Sequence, residues 1–173
     1  MQIGRLIRHV AETHWRTRML FPGTALDAIE QAIGAVELAH QGEIRFAIES
    51  ALSPLHILNS VAPRARALEV FAQLRVWDTE QNNGVLIYVQ VADRDVEIVA
   101  DRGFEGRVSL PEWEAVCRLM EEHFRAGRFE AGAVAGVLAI GDLLSRHFPR
   151  AATAATTVSA QAHNQLPDRP ILL

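Results

Sequence analysis

Val85-Leu86-Ile87-Tyr88-Val89-Gln90-Val91 is an almost continuous apolar run of strand length, and it constrains the fold more than any other segment of the chain. A strand that is apolar on both sides has to be covered on both sides, which α/β proteins achieve by laying helices over a sheet. Asp93-Arg94 follows at once, and then Val96-Glu97-Ile98-Val99-Ala100, so the run is expected to turn back as a tight hairpin. Upstream, Glu43-Ile44-Arg45-Phe46-Ala47-Ile48-Glu49 alternates polar and apolar residues with the period of a half-buried strand.

Helical periodicity surrounds these strands. Ile3, Leu6, Ile7 and Val10 recur at helical spacing, as do Leu26, Ile29, Ile33 and Val36 after Pro22-Gly23-Thr24. Thr24 is the expected N-cap of the second helix, with Asp27 three residues on, and Gly42 its expected end after His40. Pro54 and Pro63 bracket a predicted loop. A third helix runs from Arg64 with Leu68, Phe71, Ala72 and Val76 and is expected to stop near Trp77-Asp78. Trp113, Val116, Cys117, Met120 and Phe124 mark a fourth helix. Gly127 breaks it before a fifth that turns Phe129, Ala133, Gly136, Val137, Ile140 and Leu144 inward. From Ala151 to Gln165 the composition shifts to Ala, Thr and Gln without period, so residues 151–173 read as a flexible tail whose last apolar residues dock. This order predicts a layered α/β domain over residues 1–150, with a small mixed sheet covered on both faces.

Composition narrows the function classes. A chain of 173 residues that is 49% apolar buries one sizeable core and makes one domain. A net charge of -4 with interspersed signs offers no basic footprint for nucleic acid. All 17 basic residues are Arg. A Walker A loop, which needs Lys on the terminal phosphates, and Schiff-base chemistry, which needs an amine that can lose its proton, are therefore excluded. The lone Cys117 rules out an internal disulfide or a cysteine-rich metal cluster and suits a reducing compartment. Met1 to Ala11 has no unbroken apolar stretch of the kind a signal peptide needs. Ala131 to Leu144, interrupted by glycine and Asp142, is too short to cross roughly 30 Å of hydrocarbon. The expectation is a cytoplasmic chain with no membrane span.

Charge concentrates at Asp93, Asp95, Asp101 and Arg102, and Glu49 and Glu80 join them if the strand ends converge. Hard cations take several oxygen ligands, and these carboxylates, with the side-chain carbonyl of Asn82 or Asn83, are the candidate metal ligands. The same residues also read as a polar turn at Asp93-Arg94-Asp95 and a loop cap at Asp101-Arg102-Gly103. Asp93-Arg94-Asp95 after an apolar strand imitates the nucleophile motif of haloacid-dehalogenase-like phosphatases. It fails because a strand resumes immediately and no Lys holds the phosphoryl group. For phosphate esters a metal-bound water is the better nucleophile, with Arg94, Arg102 and Arg125 as candidate phosphate-binding cations. Arg125 reads first as a capping cation in a helix's last turn, ahead of a phosphate-binding role. His9 and His14 lie about 140° past a full helical turn from each other and make no zinc pair. His40, His56, His123, His147 and His163 lack ligand spacing and read as surface or cap residues. Cys117, beside Trp113 and Met120, reads as core filler.

Several stretches between Glu43 and Phe148 carry a family resemblance: the strand Ile44 to Glu49, Ala65-Arg66-Ala67-Leu68-Glu69-Val70-Phe71, and Trp77 followed by Asn83-Gly84-Val85-Leu86-Ile87. Ala92-Asp93-Arg94 with Val96-Glu97-Ile98, and Phe124-Arg125-Ala126-Gly127-Arg128-Phe129 before Gly132, complete the set. Together they resemble the TPM domain, found in thylakoid-lumen proteins of photosystem repair and in bacterial envelope proteins, and this chain looks like a short soluble branch of it. The resemblance implies a three-layer α/β/α sandwich, calcium or another divalent cation in an acidic loop site in some members, and acid phosphatase activity in others. The function expected on these grounds is a non-catalytic divalent-cation-binding or protein-interaction module. The alternative is a weak metal-dependent acid phosphatase. No nucleotide cofactor is expected.

Overall fold

The computed structural model describes residues 4, 5, 7, 9, 12, 14–150 and 164–173. The expected first helix, built on Ile3, Leu6, Ile7 and Val10, lies largely outside the described residues, as does His163. The elements in chain order are α1 (His14–Leu20), α2 (Gly23–Glu37), β1 (Glu43–Glu49), α3 (Pro54–Leu58), α4 (Pro63–Gln73), β2 (Gly84–Gln90), β3 (Asp95–Ala100), a 3-10 turn (Arg102–Phe104), α5 (Leu110–Arg125), α6 (Phe129–His147) and β4 (Ile171–Leu172).

The strands form one open mixed sheet in the order β3-β2-β1-β4. β1 runs parallel to β2 with Glu43 beside Gly84 and Glu49 beside Gln90. β2 and β3 make the expected antiparallel hairpin, and β4 adds to the other side of β1 in parallel. Every residue of β2 is buried, as its composition requires. Val85, Ile87 and Val89 face a core shared with α2, α5 and α6, while Leu86 and Tyr88 face a second core with Ala67 and Val70 of α4. Helices thus cover both faces, giving three layers. Ala133, Gly136, Val137, Ile140 and Leu144 of α6 are all buried as their spacing predicts. Among the described residues no helix is long and apolar enough to cross a membrane.

Several local expectations are corrected. Pro22, with an extended backbone, caps α2, and Thr24 lies inside it. The helix ends at Glu37, well before Gly42. Gly42 serves close packing, since a Cβ there would sit 2.7 Å from a methyl carbon of Leu144. The predicted loop between Pro54 and Pro63 contains the short helix α3, whose cap Ser53 accepts the His56 N–H through its hydroxyl. α4 stops at Gln73, short of Trp77, and Arg75 just beyond it takes a left-handed conformation with φ 53°.

β1 supplies the largest correction. Its alternation predicts one solvated face, yet all seven residues are buried. The polar side chains keep their burial because each finds partners. Glu43 accepts the backbone N–H groups of Gln165 and Leu166 at 3.1 and 3.2 Å, and Arg45 donates to the carbonyls of Pro167 and Arg169, each at 2.6 Å. The C-terminal segment therefore lies across the polar side of β1 and then pairs with it, the Leu173 N–H reaching the Ile48 carbonyl at 2.8 Å.

Candidate functional site

The register of β2 settles where the candidate ligands lie. Seven residues at about 3.3 Å each carry the chain roughly 20 Å from one edge of the sheet to the other. Glu80, Asn83 and Asp101 sit at the start of β2, where the Asp101 N–H donates to the Gly84 carbonyl at 2.9 Å. Glu49, Asp93 and Asp95 sit at its far end, beside Gln90. The six therefore do not converge on one ion. Among the described residues, no group of three or more His, Cys, Asp or Glu side chains is disposed to hold a metal.

At the start of β2 several polar groups hold the loops together, while Asp101 Oδ2 and Asn83 Oδ1 are buried without a hydrogen-bond partner among the described residues. Asp101 accepts the Arg102 N–H at 2.7 Å, Arg102 donates its Nε to Asn82 Oδ1 at 2.9 Å, and the buried Asn83 donates its amide to the Gln41 carbonyl at 2.7 Å. Glu80 is exposed, and its backbone N–H donates to Gln165 Oε1. Arg102 thus lies at the opposite edge from Arg94 and Arg125.

At the end of β2 two of the three carboxylates are committed. Glu49 is buried, with Arg66 donating Nε and Nη2 to it at 3.0–3.2 Å and the Tyr88 hydroxyl donating to its second oxygen. Burial, followed by the contact with Glu49, pushes the Tyr88 phenol well above its ordinary range. Asp93 accepts two hydrogen bonds from Arg5, at 2.7 and 3.0 Å, and His9 Nε2 lies 3.1 Å from its other oxygen. Burial pushes the Asp93 carboxyl up, but Arg5 and His9 outweigh it and hold it below the ordinary range. Asp95 differs from both. Burial, and then the negative charges of Glu97, Glu121 and Asp93, push it up to about 6.

Beside this edge opens a cavity of about 360 Å³, at the carboxyl end of a parallel pair of strands, where α/β sheets commonly bind ligands. The end of β2 and its turn contribute Gln90 and Arg94. The segment before α1 contributes Glu12, and α1 itself Arg16 and Leu20. The α5–α6 junction adds Glu121, Phe124, Arg125 and Phe129. Phe124 and Phe129 stack at 5.3 Å between centroids. Arg94 occupies a left-handed turn position, φ 56°, which closes the hairpin beside the cavity. Of the three candidate phosphate-binding arginines, Arg94 and Arg125 meet here, and Arg125 also pairs with Glu121 one turn earlier at 2.7 Å.

Sequence reasoning missed Gln90, Glu12, Arg16 and Phe129 as site residues. Gln90 left a signal, as the one amide in the apolar run Val85 to Val91. Glu12 and Arg16 left none, because only the tertiary structure carries the segment around α1 to the sheet edge. His40, read as a surface or cap residue, is fully buried with Nδ1 3.0 Å from the Gly42 carbonyl, and burial pushes its imidazole down to about 4. Burial, and then Glu97 and Glu121, push the Cys117 thiol up to about 12, which leaves it a poor nucleophile.

The family model of the TPM domain matches residues 18–143. The NMR structure of the BA42 protein from the psychrophilic bacterium Bizionia argentinensis superposes with a TM-score of 0.73 at 28% identity, covering 88% of this chain and 95% of that one. The N-terminal domain of a protein from P. gingivalis, also solved by NMR, gives a TM-score of 0.41 at 20% identity over 69% of this chain and 93% of that one. No curated protein matches the sequence.

Proposed function

The chain belongs to the TPM domain family, and from that premise we propose that it is a non-catalytic binding module whose ligand occupies the cavity at the end of β2. One observation carries this reading. Gln90 lines the cavity, is fully buried, and leaves its side-chain Nε2 without a hydrogen-bond partner. Buried donors in folded proteins are nearly always satisfied, so an unmet one in a cavity wall marks a place for an acceptor from outside the chain. Two of the three carboxylates at this edge are tied into the fold, Glu49 by Arg66 and Asp93 by Arg5, and such pairing favours rigid support over turnover.

The test is amide NMR on the full chain against small acidic, basic and neutral aromatic fragments. Saturable shifts at residues 90–94 and 124–127 are expected, and fragments that leave those amides unmoved while shifting others would overturn the reading.

Divalent-cation binding is the second reading, favoured by Asp95. Its carboxyl is crowded by burial and by Glu97, Glu121 and Asp93, and a cation would relieve that crowding. So few side-chain ligands predict weak binding with most of the shell supplied by water. Calorimetry with calcium, magnesium, manganese and zinc on wild type and Asp95→Asn tests it; heats unaffected by the substitution would remove this site. The same metal-loaded samples test the phosphatase alternative. Turnover of p-nitrophenyl phosphate that disappears in Asp95→Asn would make the chain an enzyme.

A further inference from the structure

The orientation of the Gln90 amide is fixed by its neighbour, because Oε1 accepts the Asp93 N–H at 2.9 Å and a flipped amide would set two donors against each other. Nε2 is therefore the unmet atom, and it requires an acceptor. Charge along the cavity wall narrows what that acceptor belongs to. Three guanidinium groups line the cavity, those of Arg16, Arg94 and Arg125, against the two carboxylates of Glu12 and Glu121. Arg125 pairs with Glu121 at 2.7 Å and Arg16 with Glu12 at 3.7 Å. Arg94 makes no ion pair with a described residue, so the wall holds one unpaired cation and one unmet neutral donor, with Glu12 Oε1 as the one unmet acceptor. The remaining wall is apolar, formed by Leu20, Val89 and the stacked rings of Phe124 and Phe129.

We propose that the cavity takes a small monoanionic carboxylate with an apolar body. One carboxylate oxygen accepts from Gln90 Nε2, the other accepts from the Arg94 guanidinium, and the body lies against Phe124, Phe129 and Leu20. This inference rests on the binding reading above and narrows it to a ligand class. A guanidinium presents parallel N–H donors that suit a carboxylate. A phosphate monoester, with close to two negative charges, has one uncompensated cation to meet and two carboxylates to repel it. The volume of about 360 Å³ lies at the small end of ligand pockets and suits a single-ring or branched aliphatic acid.

Four probes with the same phenylethyl body decide it: 3-phenylpropionate, phenethyl alcohol, phenethylamine and phenethyl phosphate, each titrated into the full chain and followed through the amides of residues 90–94 and 124–127. The carboxylate is expected to bind about tenfold or more tighter than the alcohol, the value of one charge-assisted hydrogen bond, and tighter than the phosphate. The amine is expected to bind weakest. Arg94→Ala is expected to lower carboxylate affinity about tenfold and to abolish its advantage over the alcohol. Arg94 is exposed, so the variant folds, and an unchanged thermal midpoint verifies this. Gln90→Leu is expected to weaken the carboxylate several-fold. If the alcohol or the phosphate binds as tightly as the carboxylate, or Arg94→Ala leaves the preference intact, the monoanion assignment is overturned while the cavity remains a binding site. If none of the four probes moves the cavity amides, both the assignment and the binding reading fall.

Discussion

Arg66→Met removes the guanidinium that holds Glu49 at the end of β1, and its effect separates a structural carboxylate from a cation ligand. Both side chains are about nine-tenths buried, and Arg66 meets Glu49 with a fork of Nε and Nη2. Contact with Glu49 is also the largest of the influences raising the Arg66 pKa. Removing one member of a buried pair leaves the other charged, desolvated and only partly satisfied, here by Tyr88, at a cost of about 3–5 kcal/mol. The outer contact from Arg66 to the half-exposed Glu69 adds little. For a domain of this length, 1 kcal/mol moves the thermal midpoint by about 2–4 °C, so the expected loss is about 6–20 °C. Replacing both charges, as Glu49→Leu with Arg66→Met, is expected to recover most of that loss, because two apolar side chains in contact leave no buried charge. Urea denaturation of wild type, both single variants and the double variant gives the coupling energy directly. A cost below about 1 kcal/mol for Arg66→Met, or a double variant no better than the sum of the singles, would refute the assignment of Glu49 to the fold.

Three further outcomes follow from the packing. Glu37 accepts the Ile44 N–H at 2.9 Å, and burial, opposed by that bond and aided by Glu43 and Asp168, pushes its carboxyl from 4.5 up to about 9. A folded pKa above the unfolded one means that stability is fully present below about pH 4.5 and is lost as pH rises toward 9; Glu37→Gln should flatten that decline, by up to about 1.4 kcal/mol per pH unit, in denaturation curves taken across the range. Gly84→Ala places a Cβ 1.9 Å from the Val76 carbonyl oxygen, so a loss of about 3 kcal/mol or more is expected, and a thermal midpoint within 2 °C of wild type would contradict the packing at the start of β2. With its thiol pushed up to about 12, Cys117 should react with a disulfide reagent at pH 8 at least about a hundredfold more slowly than free cysteine, and rapid labelling of the folded chain would show that burial does not protect it.

Elements whose signal is local were legible in the residues alone. An apolar run of strand length rich in β-branched residues, such as Val85 to Val91, reads as a strand covered on both sides, and the spacing of Ala133, Gly136, Val137, Ile140 and Leu144 reads as the inner face of a helix, because side-chain direction follows backbone period. The hairpin at Asp93-Arg94 and the family resemblance were legible for the same reason. Partnership was not legible, since it depends on segments far apart in the chain. Glu43, Arg45 and Glu49 read as a solvated strand face. They are buried because the C-terminal segment and α4 supply hydrogen-bond partners from 17 to 124 residues away. The acidic residues likewise read as one cluster, until the register of β2 set three at each end of a seven-residue strand. The cavity belongs wholly to the tertiary structure. Glu12 and Arg16, Gln90 and Arg94, and Phe124 and Phe129 come from three stretches far apart in sequence, and they meet only because α1 and the α5–α6 junction pack against the same end of the sheet.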